Sequence, residues 1–152
     1  MTVKGRFSLD TNILVYAVDR DAGERHRRSR ELMGRAALRD CVLTVQALAE
    51  FFHATTRKNL LEPEHASTFV RSWLDVFKIA SADDSALLDA MDAVEEHHLS
   101  LWDAMLWAAA RQTGCSAILS EDMQDGRRLS GVEFINPFAG DAATRLTALL
   151  EA

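Results

Sequence analysis

Much is missing from this 152-residue chain, and each absence narrows what it can be. No apolar run approaches the roughly 20 residues of a membrane-spanning helix. The opening stretch, MTVKGRFSLD, lacks the long apolar segment of a secretory signal. Only two cysteines occur, Cys41 and Cys115, far apart and in apolar surroundings. Without the CxxC spacing of a thiolate metal site they read as buried free thiols, as expected of a cytoplasmic protein kept reduced. Internal repeats and low-complexity linkers are absent too. A chain of this length that is 48% hydrophobic suits one compact domain with a sizeable core.

Positive charge is missing from one long stretch: no Lys or Arg lies between Lys78 and Arg111, where seven acids occur. Seven of the 17 basic residues fall instead between Arg20 and Arg39. A net charge of −6 argues against a protein coated in nucleic acid, but the surface is polarised. Such a charge run is usually a solvated face. The functional alternative is RNA contact through Arg25, Arg27, Arg28 and Arg30.

What is present is organised around residues 100–126, SLWDAMLWAAARQTGCSAILSEDMQDG. Asp103 starts a nearly continuous apolar run that ends before Gly114, the residue type found just past helix ends. Residues 116–119 read as a short buried strand with Ser120-Glu121-Asp122 as its polar exit. A buried helix feeding a buried strand fits an α/β sheet, whose ligands gather at the carboxyl ends of strands.

The rest of the chain supplies similar junctions. Residues 6–9 form a strand that runs into Asp10-Thr11-Asn12 and a short helix. Residues 24–38 form the basic helix, with Leu32, Met33, Ala36 and Ala37 inward, and 42–44 form a strand. An amphipathic helix follows over 45–58, anchored by Leu48, Phe51, Phe52 and Ala54 and carrying Glu50 near its wet–dry boundary. Pro63 opens the next helix, since its missing N–H is not needed there. Residues 83–98 are helical with Leu87, Leu88, Met91 and Val94 expected inside. His97 and His98 point about 100° apart on a helix and suit its negative end better than one ion. A last strand over 132–135 precedes Asn136-Pro137-Phe138, and 140–152 form an amphipathic helix through Leu146, Leu149 and Leu150.

The candidate acids are Asp10, Glu50, Asp103 and Asp122, with Asp125 in reserve. Each has an ordinary explanation. Asp10 or Thr11 can simply cap a helix. Ser100-x-x-Asp103 matches a capping box, and Glu50 can be an exposed acid. Jointly they describe an all-oxygen site, which suits Mg²⁺ or Mn²⁺. Such an ion polarises phosphoryl oxygens and makes hydroxide available near neutral pH.

Read as a set, these motifs resemble a known family. Ser8-Leu9-Asp10-Thr11-Asn12-Ile13-Leu14, Ala49-Glu50-Phe51 with Arg57-Lys58, Leu101-Trp102-Asp103-Ala104, Leu119-Ser120-Glu121-Asp122-Met123-Gln124 and Asn136-Pro137-Phe138 are similar to those of PIN-domain ribonucleases, specifically VapC-type toxins of toxin–antitoxin pairs. The resemblance implies an α/β fold, a PIN-like three-layer α/β/α with a short, mostly parallel central sheet. Residues 1–138 would be the nuclease domain and 139–152 a C-terminal tail of the same domain, packed on a partner or frayed. It implies an acidic pocket of Asp10, Glu50, Asp103 and Asp122, with Asp10 and Asp103 as main metal ligands. Asp122 would complete or water-bridge the site, Glu50 would orient water, and Thr11, Asn12 and Ser120 would fix the acids. An RNA substrate, a cognate antitoxin and a homodimer are implied as partners. One departure stands out: Asp125 occupies a place where a histidine is often expected, which leaves open whether Asp122 or Asp125 is the closer ligand. Two rivals remain, a PIN-type binding module without catalysis and a phosphotransfer domain with an aspartyl nucleophile. The second is disfavoured because Asp10-Thr11-Asn12 lacks an acid two residues on and no Lys follows the 116–119 strand.

Overall fold

In the computed structural model, which describes residues 5–151, the elements run β1 (Arg6–Leu9), α1 (Thr11–Val18), a 3-10 turn (Arg20–Ala22), α2 (Glu24–Ala36), β2 (Cys41–Thr44), α3 (Val45–Arg57), α4 (Pro63–Val76), β3 (Lys78–Ala80), α5 (Asp84–His97), α6 (Leu101–Gln112), β4 (Cys115–Leu119), β5 (Arg128–Leu129), β6 (Val132–Ile135) and α7 (Ala142–Leu150). The strands lie in the order β3-β2-β1-β4-β6-β5, parallel except for β5 against β6.

Strand β1 is central because nothing in it beyond Arg6 needs water. Phe7 and Leu9 are fully buried, and buried Ser8 donates its hydroxyl to the Val42 carbonyl (2.6 Å). A strand covered on both faces belongs inside a parallel sheet. Side chains alternate across it. Phe7, Leu9, Leu43 and Leu119 pack with Ile13 and Leu14 of α1, Leu32 of α2 and Phe51 of α3. Val42, Ile118 and Phe134 pack on the other face with α5 and α6. The result is three layers, α/β/α. Helix α4 lies outside α3, where Trp73 meets Phe51 edge-on at 4.7 Å. Cys41 and Cys115 belong to clusters on opposite faces, and both are buried free thiols.

Three expectations need correction. Leu87, Leu88 and Met91 of α5 are 41%, 61% and 47% exposed, while Ala86, Ala90 and Ala93 are buried. Both stripes have helical spacing, and the small one wins because α5 packs closely on the Ala104–Ala108 side of α6, where bulky side chains would hold the helices apart. Phe52 is likewise 38% exposed, one residue off the face that buries Phe51. The tail does not fray over α7. Leu146, Leu149 and Leu150 of α7 are buried in the same core as β1, and Arg39 Nε donates to the Leu150 carbonyl (2.9 Å). Strand β5 is too short for a periodic signal. It exists because Ser130 and Gly131, both at positive φ (48° and 83°), form the tight turn that returns the chain onto β6.

Candidate active site

The parallel strands β1 and β4 end in register, Leu9 beside Leu119, and both then leave the sheet with polar residues. The Asp10 amide still donates to the Leu119 carbonyl (2.9 Å), so the two strand ends are tied together where the acids begin.

Asp10 is the innermost of these acids, 9% exposed. Its Oδ1 accepts from the Thr11 amide (2.7 Å), capping α1, and its Oδ2 accepts from Ser120 Oγ (2.7 Å). The ordinary capping role is therefore real, and the same carboxylate also feels the charges of Asp103 and Asp122. Burial pushes its pKa up to about 6, against the lowering effect of the Ser120 and Thr11 hydrogen bonds and with help from the charges of Asp103 and Asp122. Asp103 stands in the first turn of α6, whose N-cap is formed: its amide donates to Ser100 Oγ (3.1 Å). Its carboxyl is half-buried, and burial raises its pKa. The Ser100 hydrogen bond opposes that rise, and Asp122 and Glu50 add to it.

The two outer acids are held by the polar residues singled out in the sequence. Asp122 accepts from Asn12 Nδ2 (3.1 Å), and its amide donates to Ser120 Oγ (3.1 Å). Glu50 accepts from Thr11 Oγ1 (3.2 Å). Thr11, Asn12 and Ser120 thus each carry a bond to one of the four acids. Gln46, which sequence reasoning missed, donates from Nε2 to Glu50 Oε1 (2.9 Å) and to the Trp102 carbonyl (3.1 Å). It ties α3 to the start of α6. Its position one turn before Glu50 was the available signal.

Among the described residues no Lys or Arg forms a salt bridge with Asp10, Asp103, Asp122 or Glu50, and the charges of Asp103 and Asp122 act on Asp10, those of Asp122 and Glu50 on Asp103. Among the described residues, however, no three His, Cys, Asp or Glu side chains converge tightly enough to hold an ion unaided. The donor set is all carboxylate and hydroxyl or amide oxygen, the chemistry of hard divalent ions that keep part of their water shell. A set that raises its own pKa values by burial and repulsion is the kind a cation relieves.

Asp125 does not belong to this group. Both of its oxygens are taken by Arg145 of α7 (2.7 and 2.8 Å), and Oδ1 also accepts from the Asn136 amide (2.9 Å). The Arg145 hydrogen bonds hold its pKa below the usual carboxylate range. The basic helix also differs from a free RNA-binding stripe. Arg27 is paired with Glu24 and Glu31 of its own helix, and Arg28 Nη1 donates to the Phe138 carbonyl (3.3 Å). Arg30 remains exposed. Arg25 crosses to Glu121, between Ser120 and Asp122, a contact no sequence spacing announces.

The chain belongs to the PIN domain family, whose family model matches residues 8–128. Its fold is similar to three solved structures. A toxin–antitoxin complex from Klebsiella pneumoniae shares 20% identity and a TM-score of 0.63, covering 86% of this chain and 97% of that one. DNA-bound VapBC from Salmonella typhimurium shares 18% identity and 0.61, over 85% and 96% of the two chains. VapC20 of Mycobacterium tuberculosis, a sarcin–ricin loop cleaving toxin, shares 17% identity and 0.59, over 74% and 86%. Among curated proteins, none matches the sequence significantly.

Proposed function

We propose that this protein is a divalent-metal-dependent endoribonuclease toxin of the VapC kind, neutralised by a cognate antitoxin. The observation that carries this is Asp10: a nearly buried carboxylate held only by hydroxyl and amide hydrogen bonds, its pKa pushed up to about 6 chiefly by burial, with the charges of Asp103 and Asp122 adding to it. Membership of the PIN family and fold neighbours that are toxins or toxin–antitoxin complexes support the same reading.

Asp10 and Asp103 would hold Mg²⁺ or Mn²⁺, with Asp122 completing the set directly or through water. The ion would supply charge stabilisation for the phosphodiester and a water acidic enough to attack it near neutral pH. Glu50, braced by Thr11 and Gln46, orients the attacking water and takes its proton. Ser120 fixes the Asp10 carboxylate, and Asn12 fixes that of Asp122. Thr11, Asn12 and Ser120 thereby keep the acids in place before any ligand arrives. The nuclease unit is 1–138, and 139–152 complete its core.

The same reading brings an RNA substrate, an antitoxin and a homodimer. The large apolar side chains left in water on α5 and at the start of α6, Leu88, Met91 and Trp102 among them, offer surface for protein partners. No helix among the described residues is long and apolar enough to cross a membrane; a toxin acting on cellular RNA would work in the cytoplasm. Incubating the purified protein with total RNA and with a phosphate monoester, each with Mn²⁺ or EDTA, tests the proposal. Metal-dependent RNA cleavage alone supports it. Monoester hydrolysis would point to aspartyl phosphotransfer, and RNA binding without cleavage to a non-catalytic module.

A further inference from the structure

The arginines of α2 are not equivalent, and the difference lies in how one of them is held. Arg25 donates from Nε to Oε2 of Glu121. The other oxygen of that carboxylate, Oε1, accepts from the Tyr16 hydroxyl (2.6 Å). Glu121 therefore holds one partner on each oxygen, and its hydrogen bond to the guanidinium is to Nε. The Phe138 ring lies under Arg25, 5.2 Å from its Cζ, and meets the Tyr16 ring edge-on at 5.6 Å. Tyr16 comes from α1, Arg25 from α2, Glu121 from the exit of β4 and Phe138 from beyond β6. Four parts of the chain fix one cation.

That cation is fixed beside the acids. Glu121 is the residue between Ser120, which bonds Asp10, and Asp122, which is bonded by Asn12. Half of the Arg25 side chain still faces water. Its bond to Glu121 runs from Nε, so the outward nitrogens are left for a ligand. A planar guanidinium with a free edge matches a phosphate diester, and one already immobilised loses little freedom on binding. Arg27, by contrast, is paired with Glu24 and Glu31 of its own helix and, among the described residues, is held by no other part of the chain.

We infer that Arg25 is a substrate contact that holds an RNA phosphate next to the acidic pocket, with Glu121, Tyr16 and Phe138 as the positioning residues that aim it. This deepens the ribonuclease reading and rests on it for the identity of the substrate. It predicts that the enzyme grips its strand on the α2 side of the pocket rather than along the whole basic helix.

The test is binding of a fluorescein-labelled single-stranded oligoribonucleotide, with EDTA present, across a salt series. Arg25→Ala should weaken binding about tenfold, as loss of one charged hydrogen-bonded contact does. The slope of log affinity against log salt should become shallower by about 0.7, the share of one phosphate on a single strand. Arg25→Lys should keep the slope and recover only part of the affinity. Tyr16→Phe should weaken binding without changing the slope, and Arg27→Ala should leave both unchanged. In the Mn²⁺ cleavage assay Arg25→Ala should raise KM far more than it lowers kcat. Wild-type affinity and slope in Arg25→Ala, or a lowered melting temperature with an unchanged slope, would overturn the assignment and leave Arg25 a brace for the 120–122 segment. Failure of the wild type to cleave RNA is a separate result: it would remove the nuclease reading while the salt slope still decides whether Arg25 meets RNA.

Discussion

Two groups of carboxylates in this molecule obey opposite rules. Asp40, at the amino end of β2, is bracketed by Arg6 Nε (3.1 Å) and Lys78 Nζ (2.8 Å), and Asp125 is gripped by Arg145. Hydrogen bonds from these cations hold both pKa values below the ordinary carboxylate range. At the carboxyl ends of β1 and β4 the chain does the reverse. Asp10 is held by the Ser120 hydroxyl and the Thr11 amide, neither Asp10 nor Asp103 has a salt bridge among the described residues, and burial raises both. Paired acids hold the fold together at its edges. Unpaired, buried ones work against stability, and their gathering at one point is what the proposed metal site requires.

The sharpest way to break that contrast is to remove a charge from the unpaired group. Asp103→Asn keeps the size of the side chain and leaves the backbone bond to Ser100 Oγ in place. It removes the charge that an ion needs. Metal-dependent RNA cleavage should fall by more than about a hundredfold, beyond what loss of a supporting residue does, with the fold intact by circular dichroism. Near-normal cleavage by folded Asp103→Asn would reduce this acid to a helix cap.

Stability carries the next largest effect. The unfolded Asp10 carboxyl titrates near 3.8 and the folded one near 6. Between those values the folded state binds more protons than the unfolded chain, so metal-free stability falls as pH rises from about 4 to about 6 and is flat above. The loss at neutral pH is on the order of 3 kcal/mol. Asp10→Asn removes the titration. Its metal-free form should melt at or above the wild-type temperature at pH 7, and millimolar Mn²⁺ should raise the melting temperature of the wild type only. Asp40 and Asp125 act in a different window: their lowered pKa values contribute stability above about 4 that is lost in stronger acid. A wild-type melt that ignores Mn²⁺, beside an Asp10→Asn protein that is less stable at every pH, would make the acids structural.

How far these features can be read without coordinates depends on the range of the interaction. Strand-then-acid junctions at Asp10 and Asp122 are local, and so is the Ser100–Asp103 cap, so sequence pattern reveals them. Thr11, Asn12 and Ser120 sit beside those acids in the chain, and proximity alone suggests their partners. The Tyr16–Glu121 bond joins residues 105 apart, and nothing in either neighbourhood encodes it. Helix α5 shows a different obstacle. Its leucine and alanine stripes are both periodic, and only the closeness of α6 decides which one goes inside. Asp125 shows the same limit as Glu121: its neighbours in sequence include the candidate acid Asp122, but its partner in space is Arg145, 20 residues on.

That partner makes the smallest predicted effect the most discriminating for the acid assignment. Asp125→Asn keeps an acceptor for the Asn136 amide but gives up the ion pair with Arg145, which also reaches Asp141 (3.2 Å). Asp125 is about a third exposed, so solvent screens the pair and the expected loss is under about 1 kcal/mol. Leu146, Leu149 and Leu150 stay buried, and α7 should remain docked. The melting temperature should drop by a few degrees at most, and high salt should shrink the difference between variant and wild type. RNA cleavage and the Mn²⁺-induced rise in melting temperature should both persist. If Asp125→Asn instead lost cleavage as Asp103→Asn is expected to, the bridge to Arg145 would have to open in the working enzyme. The division between paired and unpaired acids would then fail at its most clearly paired member.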